Sequence, residues 1–417
     1  MPQLSSLLVV PTGASNPATG AGQRTHLIYG ALRQLGPVHV AVLQPDDQED
    51  ENRHFQDCAS YSVIRNSTIL LPRDAGKAGI LWQRVQRLLV PERLMRACAK
   101  SQAVFRAIVE TNAIDVVVFR YAKALCPVEP GAGQRLGRWM FLDWDDRDDL
   151  QYLSLVEARG GGFLARSVIA KRAATALRRR IAEASGCLDR IWLTDARALS
   201  VPRDAREAIV PNTVMRSISD GAMRPPSDGA YLLFVGTIWY RPNAEGVTWF
   251  LTKVWPLISA ANPRIRIRFL GGGNWQEIKK LCGDDPQVDV MGFVDDLEEQ
   301  YMGARGAIAP ILSGGGTQIK VLEACLYGRP VVVSRFSAEG YDGDLKKDML
   351  VAETPEEFAA ACLKLFEDPE DANLRGQSLR REFLRSLGAE AISDRIRRDI
   401  LEVVGTAEEA RGMEEAG

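Results

Sequence analysis

The chain is poor in the residues that most often build metal and disulfide frameworks. It has three histidines, and its seven cysteines never fall in a Cys-x-x-Cys spacing. Cys58, Cys98, Cys126, Cys187, Cys282, Cys325 and Cys362 are scattered and odd in number. That argues against a disulfide scaffold or structural zinc, and for a reducing compartment. Neither sign of charge is in excess: 52 basic residues against 54 acidic ones give a net charge of −2, so no global footprint for nucleic acid exists. No apolar run approaches the roughly 20 residues needed to span a bilayer. The run Leu7-Leu8-Val9-Val10 is too short for the core of a signal segment and has no basic stretch before it, so it reads as a strand. A cytosolic protein is expected. Short-period repeats and low-complexity segments are also missing.

What is present is an ordinary globular composition, 46% hydrophobic and 25% charged, over 417 residues, which is long enough for two domains with separate cores. Residues 7–11 read as a buried strand, followed by a loop with Gly13, Asn16, Gly20 and Gly22. A helix carrying Leu27, Ile28, Ala31, Leu32 and Leu35 ends at Gly36-Pro37, and 38–43 is the next strand. Residues 45–76 are polar and suggest no element. The pattern at 80–110 is helical and basic on its outer face. Residues 115–119 form a strong strand signal, with Arg120 and Tyr121 at the end where open α/β sheets bind ligands.

The strand at 139–142 runs into Asp143-Trp144-Asp145-Asp146. This acid run has two readings: carboxylates that chelate Mg²⁺ or Mn²⁺, or a strand-end loop placing acids at the start of a helix. The helix at 164–184 is basic and amphipathic. It suits either an anionic membrane surface or packing on its own domain. Strands at 191–194 and 209–210 close this half, and the stretch from Pro211-Asn212 to Gly229 reads as a linker.

A second strand–helix run follows. Residues 231–235 form a strand, Arg241-Pro242-Asn243 a loop, and Val247, Phe250, Leu251 and Val254 one helical face. The strand at 265–270 ends in Gly271-Gly272-Gly273, but Gln276 stands where a dinucleotide fingerprint needs its third glycine. Strands at 288–291 and 307–311 flank a helix at 297–302. A strand at 349–352, a helix at 355–367 and a long amphipathic pattern at 373–404 complete the run. Such alternation implies parallel sheets covered on both faces.

The centre of this half is 309–342. An apolar strand stops at Gly314-Gly315-Gly316, a helix opens at Thr317, Gly328 sits at its C-cap and Val331-Val332-Val333 forms the next strand. Glycines before a helix let backbone approach a ligand, and the free N–H groups of the first turn favour an anion. Lys320 and Glu323 lie three apart, near that end. A phosphate-bearing small molecule fits; a solvated ion pair of little consequence is the plain alternative.

The segments FVGTIWYRPNAEGVTWF, GFVDDL, SGGGTQIKVLEA, RPVVVS and AEGYD, in this order and spacing, resemble glycosyltransferase family 4. The first half matches more loosely, through its glycine loop, LDWDD, IWLTDARAL and VPNTV. The resemblance implies an α/β, GT-B fold: two Rossmann-like domains with parallel sheets facing an interdomain cleft. It implies an acceptor domain at 1–212, a donor domain at 213–385 and a helix at 386–404 crossing back to the first; the acidic, small-residue composition beyond predicts a disordered tail at 405–417. It implies a retaining glycosyltransferase that uses a nucleotide-sugar donor and works without metal, which favours the loop reading of Asp143-Trp144-Asp145. Glu323 would hydrogen-bond the ribose hydroxyls, and Lys320 or Arg241 would neutralise the leaving diphosphate. The backbone at Gly315, Gly316 and Thr317 would hold phosphates, with Gly236, Thr237, Gly314, Gln318 and Glu339 also on the donor side. Gly20, Gly22, His26 and Arg120 would lie on the acceptor side.

Two departures stand out. Gly315 occupies the place of the family's first glutamate, and Thr237 that of a common arginine. The implied partners are a nucleotide sugar and a sugar or lipid-linked glycan acceptor, with peripheral membrane contact through the basic helices and no nucleic acid. Cell-surface polysaccharide or glycolipid assembly is the implied setting. An epimerase-like GT-B enzyme and a non-catalytic scaffold on a degenerate frame are the rivals.

Overall fold

The structure, a computed structural model, describes residues 3–415 apart from 18–19, 46–53, 67–97, 129–134, 136, 146–171, 173–174, 177, 201, 217, 219–229, 315–316 and 342. The basic pattern at 80–97, most of that at 164–177, Asp146, linker residues 219–229, and Gly315 and Gly316 therefore lie outside the described residues. Two compact units divide the chain: Met1–Val210 with Ser393–Gly417, and Pro211–Ile392. The sequence places these boundaries after 212 and 385.

The first unit holds a seven-stranded parallel sheet in the order β3-β2-β1-β4-β5-β6-β7. Its strands are β1 (Ser6–Pro11), β2 (Val38–Pro45), β3 (Ser60–Asn66), β4 (Val116–Arg120), β5 (Trp139–Asp143), β6 (Arg190–Leu193) and β7 (Glu207–Ile209). Helices α1 (Gly20–Arg33), α2 (Ala99–Thr111) and α3 (Ala122–Leu125) connect them. Strands β1, β4 and β5 are buried at every position, which is why they read as continuous apolar runs. Strand β3 lies in the stretch without a sequence signal. Among the described residues it is an edge strand that pairs only with β2, and Ile64 is buried while Ser60, Tyr61, Ser62 and Val63 are half-buried. One-sided burial leaves no apolar run to detect.

The second unit repeats the topology with six parallel strands in the order β10-β9-β8-β11-β12-β13. They are β8 (Tyr231–Val235), β9 (Ile267–Leu270), β10 (Val288–Gly292), β11 (Ala304–Ala309), β12 (Val331–Ser334) and β13 (Leu350–Ala352). The helices are α4 (Arg241–Trp249), α5 (Trp255–Ala261), α6 (Gln276–Cys282), α7 (Leu297–Gly303), α8 (Ile319–Leu326), α9 (Arg335–Ala338), α10 (Gly343–Asp348), α11 (Pro355–Glu367), α12 (Pro369–Ser386) and α13 (Ala389–Glu415). A π-helical turn, Phe250–Val254, separates α4 from α5. Pro256 has no N–H for the Thr252 carbonyl, so a wider turn takes up the mismatch while Phe250, Leu251 and Val254 stay buried.

In both sheets the strand order reverses beside the first strand, between β1 and β4 and between β8 and β11. Connections leave such a switch point in opposite directions, which opens a crevice at the carboxyl ends of the strands.

The single helical pattern read at 373–404 is broken at Leu387-Gly388 into α12 and α13, and α13 runs to Glu415. Helix thus replaces the disordered tail expected from 405 on, in keeping with its helix-favouring Ala, Glu, Arg and Met. From Ser393 this helix groups with the first unit. Asp399 accepts a hydrogen bond from Trp192 Nε1 at 2.7 Å and pairs with Arg190 at 3.2 Å. Burial nevertheless pushes the Asp399 carboxyl above the usual aspartate range.

Candidate functional site

Asp143, the last residue of β5 and the first of the acid run, has a place neither reading of the sequence anticipates. Asp143 is fully buried, and its carboxylate accepts from Arg24 Nη2 at 2.6 Å and from Arg120 Nη1. Arg24 also donates to the Val210 carbonyl at 2.9 Å. Arg120 donates to Thr25 Oγ1 and the Ala21 carbonyl, and its second nitrogen lies 3.7 Å from Asp145. The guanidinium of Arg120 is thus enclosed as a brace between β4, β5 and α1, which corrects its expected place on an acceptor surface. Asp143→Ala would leave two buried guanidiniums without their carboxylate, at a cost of about 3–5 kcal/mol. Urea unfolding followed by fluorescence reads this through Trp139 and Trp192 in the same sheet; an unchanged midpoint would contradict it.

Gly22 and His26 also have structural partners. A Cβ at Gly22 would lie 1.7 Å from the Asn16 carbonyl oxygen, so glycine permits the loop to close on α1. His26 donates through Nε2 to the Ser15 carbonyl at 3.0 Å and stacks on Phe55 at 4.5 Å, and burial lowers its pKa. Gly20 is exposed at the helix start with open space around it.

In the second unit, the loops after β8 and β11 meet beside the switch point. Gly246 on α4 allows the Pro310 carbonyl to within 2.4 Å of where a Cβ would stand. Gly314 has φ +121° and packs on the Pro242 ring and the Tyr240 hydroxyl. Only glycine adopts this conformation without strain. Helix α8 opens at Ile319 rather than Thr317, with Gln318 in extended conformation at its N-cap, held by the Tyr341 hydroxyl donating to the Gln318 carbonyl at 2.8 Å. The buried Thr317 Oγ1 has no hydrogen-bond partner among the described residues. At the far end Gly328 donates to Cys325 and Arg329 to Ala324, the paired bonds of a Schellman cap.

Lys320 and Glu323 project from the first turns of α8. The Lys320 ammonium donates to Asn243 Oδ1 at 2.9 Å and to Gln318 Oε1 at 3.2 Å, and lies 5.3 Å from the centre of the Phe234 ring. Desolvation by this packing holds its pKa down at about 8, although Glu323 pulls it upward. Glu323 is buried, with Oε1 3.4 Å from Arg216 and Oε2 3.2 Å from the Tyr301 hydroxyl. Tyr301 also lies 3.3 Å from the Lys320 carbonyl. It has one hydrogen to give, and the charged acceptor is the stronger claimant. Burial raises the Glu323 pKa; Arg216, Tyr301 and Lys320 only partly offset it.

The other expected donor-side residues scatter. Arg241 pairs with Glu245 at 2.6 Å on the surface of α4. Glu339 is exposed at the end of α9. The Gly236 and Thr237 backbones do belong to the site: a Cβ at Gly236 would meet Asn243 Nδ2 at 2.8 Å, and the Thr237 carbonyl accepts from that same nitrogen at 2.9 Å. Sequence reading misses Arg216, Tyr301 and the role of Asn243. Only Asn243 had a local signal, its place in the first turn after Arg241-Pro242.

Two parallel-sheet Rossmann-like units define a GT-B fold. Solved structures share it across nearly the whole chain. A sucrose-phosphate synthase from Thermosynechococcus elongatus matches at TM-score 0.59 and 15% identity, covering 99% of this chain and 100% of that one. Anabaena HepE in complex with UDP matches at 0.58 and 12%, covering 97% and 100%. WaaG, a glycosyltransferase involved in lipopolysaccharide biosynthesis, matches at 0.53 and 11%, covering 94% and 98%. Residues 229–368, which hold Lys320 and Glu323, match the family described as glycosyl transferases group 1. A curated relative from Klebsiella pneumoniae, an uncharacterized 44.6 kDa protein in the cps region, is 30% identical over 135 residues. That match spans 31% of this chain and 35% of the relative, about a third of its length.

Proposed function

We propose that the protein is a retaining glycosyltransferase that moves a sugar from a nucleoside-diphosphate sugar to a glycan or glycolipid acceptor in cell-surface polysaccharide assembly. The observation that carries this reading is the placement of Lys320 and Glu323, side by side on α8 at the β8/β11 switch point. A buried carboxylate suits a ribose diol, since it accepts two hydrogen bonds. A partly desolvated ammonium suits the diphosphate, where leaving-group charge develops. The group 1 match over residues 229–368 supports the donor half, and the relative's place in a cps region supports the setting.

In this reading Lys320 supplies the cationic charge that a divalent metal supplies elsewhere. The commitment of Asp143 to Arg24 and Arg120 supports it, because that carboxylate is already neutralised. A lipid-linked acceptor and peripheral contact with an anionic membrane belong to the same proposal, on the strength of the basic pattern at 164–184. Incubation with a panel of nucleotide sugars and lipid-linked acceptors, in the presence of EDTA, should release nucleoside diphosphate and give a product that keeps the donor's anomeric configuration by NMR. Binding without release would overturn the enzyme reading in favour of a scaffold. Isomerised donor would favour the epimerase.

A further inference from the structure

We propose that Asn243 is a positioning residue that holds the Lys320 ammonium over the carboxyl end of β8 through a neutral amide, so that no carboxylate bonded to it competes with a ligand's phosphates. The last clause rests on the donor-site reading above; the placement of the ammonium does not.

Asn243 is almost fully buried in the first turn of α4, 77 residues from Lys320 in the chain. Its orientation is fixed by two bonds at once. Nδ2 donates to the Thr237 carbonyl at 2.9 Å, and Oδ1 accepts from Lys320 Nζ at 2.9 Å. Flipping the amide would set a donor against the ammonium and an oxygen against the carbonyl, so the network assigns one rotamer. Gly236 leaves the space in which this amide sits, since any Cβ there would crowd Nδ2. The second partner of the ammonium, Gln318 Oε1, is also a neutral amide oxygen. This gives Gln318 a supporting place in the site.

Among the described residues the ammonium's hydrogen bonds go to neutral amides, and the nearby carboxylate of Glu323 acts on it only through space. Glu323, on the same helix, is held by Arg216 and by the Tyr301 hydroxyl of α7. Arg241 and Glu245 of α4 pair with each other at the surface. Carboxylates in place of the two amides would fix the ammonium equally well and cancel its charge. Amides fix it and leave the charge in place, which is what a polyanionic ligand requires.

The test uses the intact protein, following the Lys320 side chain by NMR against pH, assigned with a Lys320→Arg sample, together with calorimetric affinities for uridine and guanosine diphosphates. Asn243→Asp should fold, because an acid in the first turn of a helix is favourable. It should move the titration of Lys320 upward and weaken diphosphate binding about tenfold or more. Asn243→Ala should move the titration downward, since a bond to the charged form is lost, and weaken binding about as much. A purely structural asparagine would lower stability in both variants and leave the Lys320 titration where it is in the wild type; that result overturns the proposal. Opposite shifts in the two variants, with no diphosphate bound by the wild type, would keep the positioning role and overturn the donor-site reading instead.

Discussion

Glu323→Ala should weaken nucleoside-diphosphate binding by about 1.5–3 kcal/mol, the worth of hydrogen bonds to a charged group, or roughly ten- to a hundredfold in Kd. The loss should vanish when the ligand is a 2′,3′-dideoxynucleoside diphosphate, because the wild type then has no diol to hold either. This cycle separates a ribose contact from general damage to the site: an equal loss with both ligands would mean that Glu323 acts through the fold. Stability should move the other way. Burial lifts the folded-state pKa of Glu323 above its unfolded value, so the ionised form costs stability, and the cost grows as pH rises from the ordinary glutamate pKa through the raised one. Glu323→Gln should therefore melt at or above the wild-type temperature at neutral pH while binding less nucleotide.

Lys320→Met carries the second large effect. Removing the ammonium should cost diphosphate affinity by about as much as Glu323→Ala and lower turnover further, because leaving-group charge peaks in the transition state. Its signature lies in the pH dependence. With the free-protein pKa of Lys320 near 8, a bound diphosphate favours the charged form and raises that value. Affinity should be level from about pH 7, above the second ionisation of the phosphate, to about pH 8, and fall by up to roughly tenfold per unit above that, until the pKa of the complex is reached. In Lys320→Met that break should be gone. The stability sign is again opposite: the depressed pKa makes the charged lysine a cost below about pH 8, which eases as pH rises toward the ordinary lysine value. A break that persists in Lys320→Met would assign it to another group.

The frame of this molecule is legible in its sequence wherever the signal is local. Buried parallel strands such as Val116–Arg120 and Val331–Ser334 are continuous apolar runs, and Gly328 marks the end of α8 as a Schellman glycine. The spacing of Lys320 and Glu323 put both on one helix near its opening, where the structure has them. What stays hidden depends on contacts between distant segments. Nothing near Arg216 or Tyr301 announces that they meet Glu323, and nothing near Asp143 announces two guanidiniums from α1 and β4. Arg120 shows the cost of reading position alone. The end of a central strand is where ligands bind, yet this side chain is spent on bracing its own sheet. Arg241 is the converse, a cation in the right loop that turns to its own helix. Sequence names the loops that form such a site; packing decides which side chains enter it.

The most direct measurement is a crystal structure of the protein soaked with a nucleoside diphosphate and no divalent cation. The account predicts both ribose hydroxyls within hydrogen-bonding distance of the Glu323 carboxylate and a phosphate oxygen on the Lys320 ammonium, with Asn243 still holding that lysine. A diphosphate bound elsewhere, or bound at this switch point with neither Lys320 nor Glu323 touching it, would contradict the account.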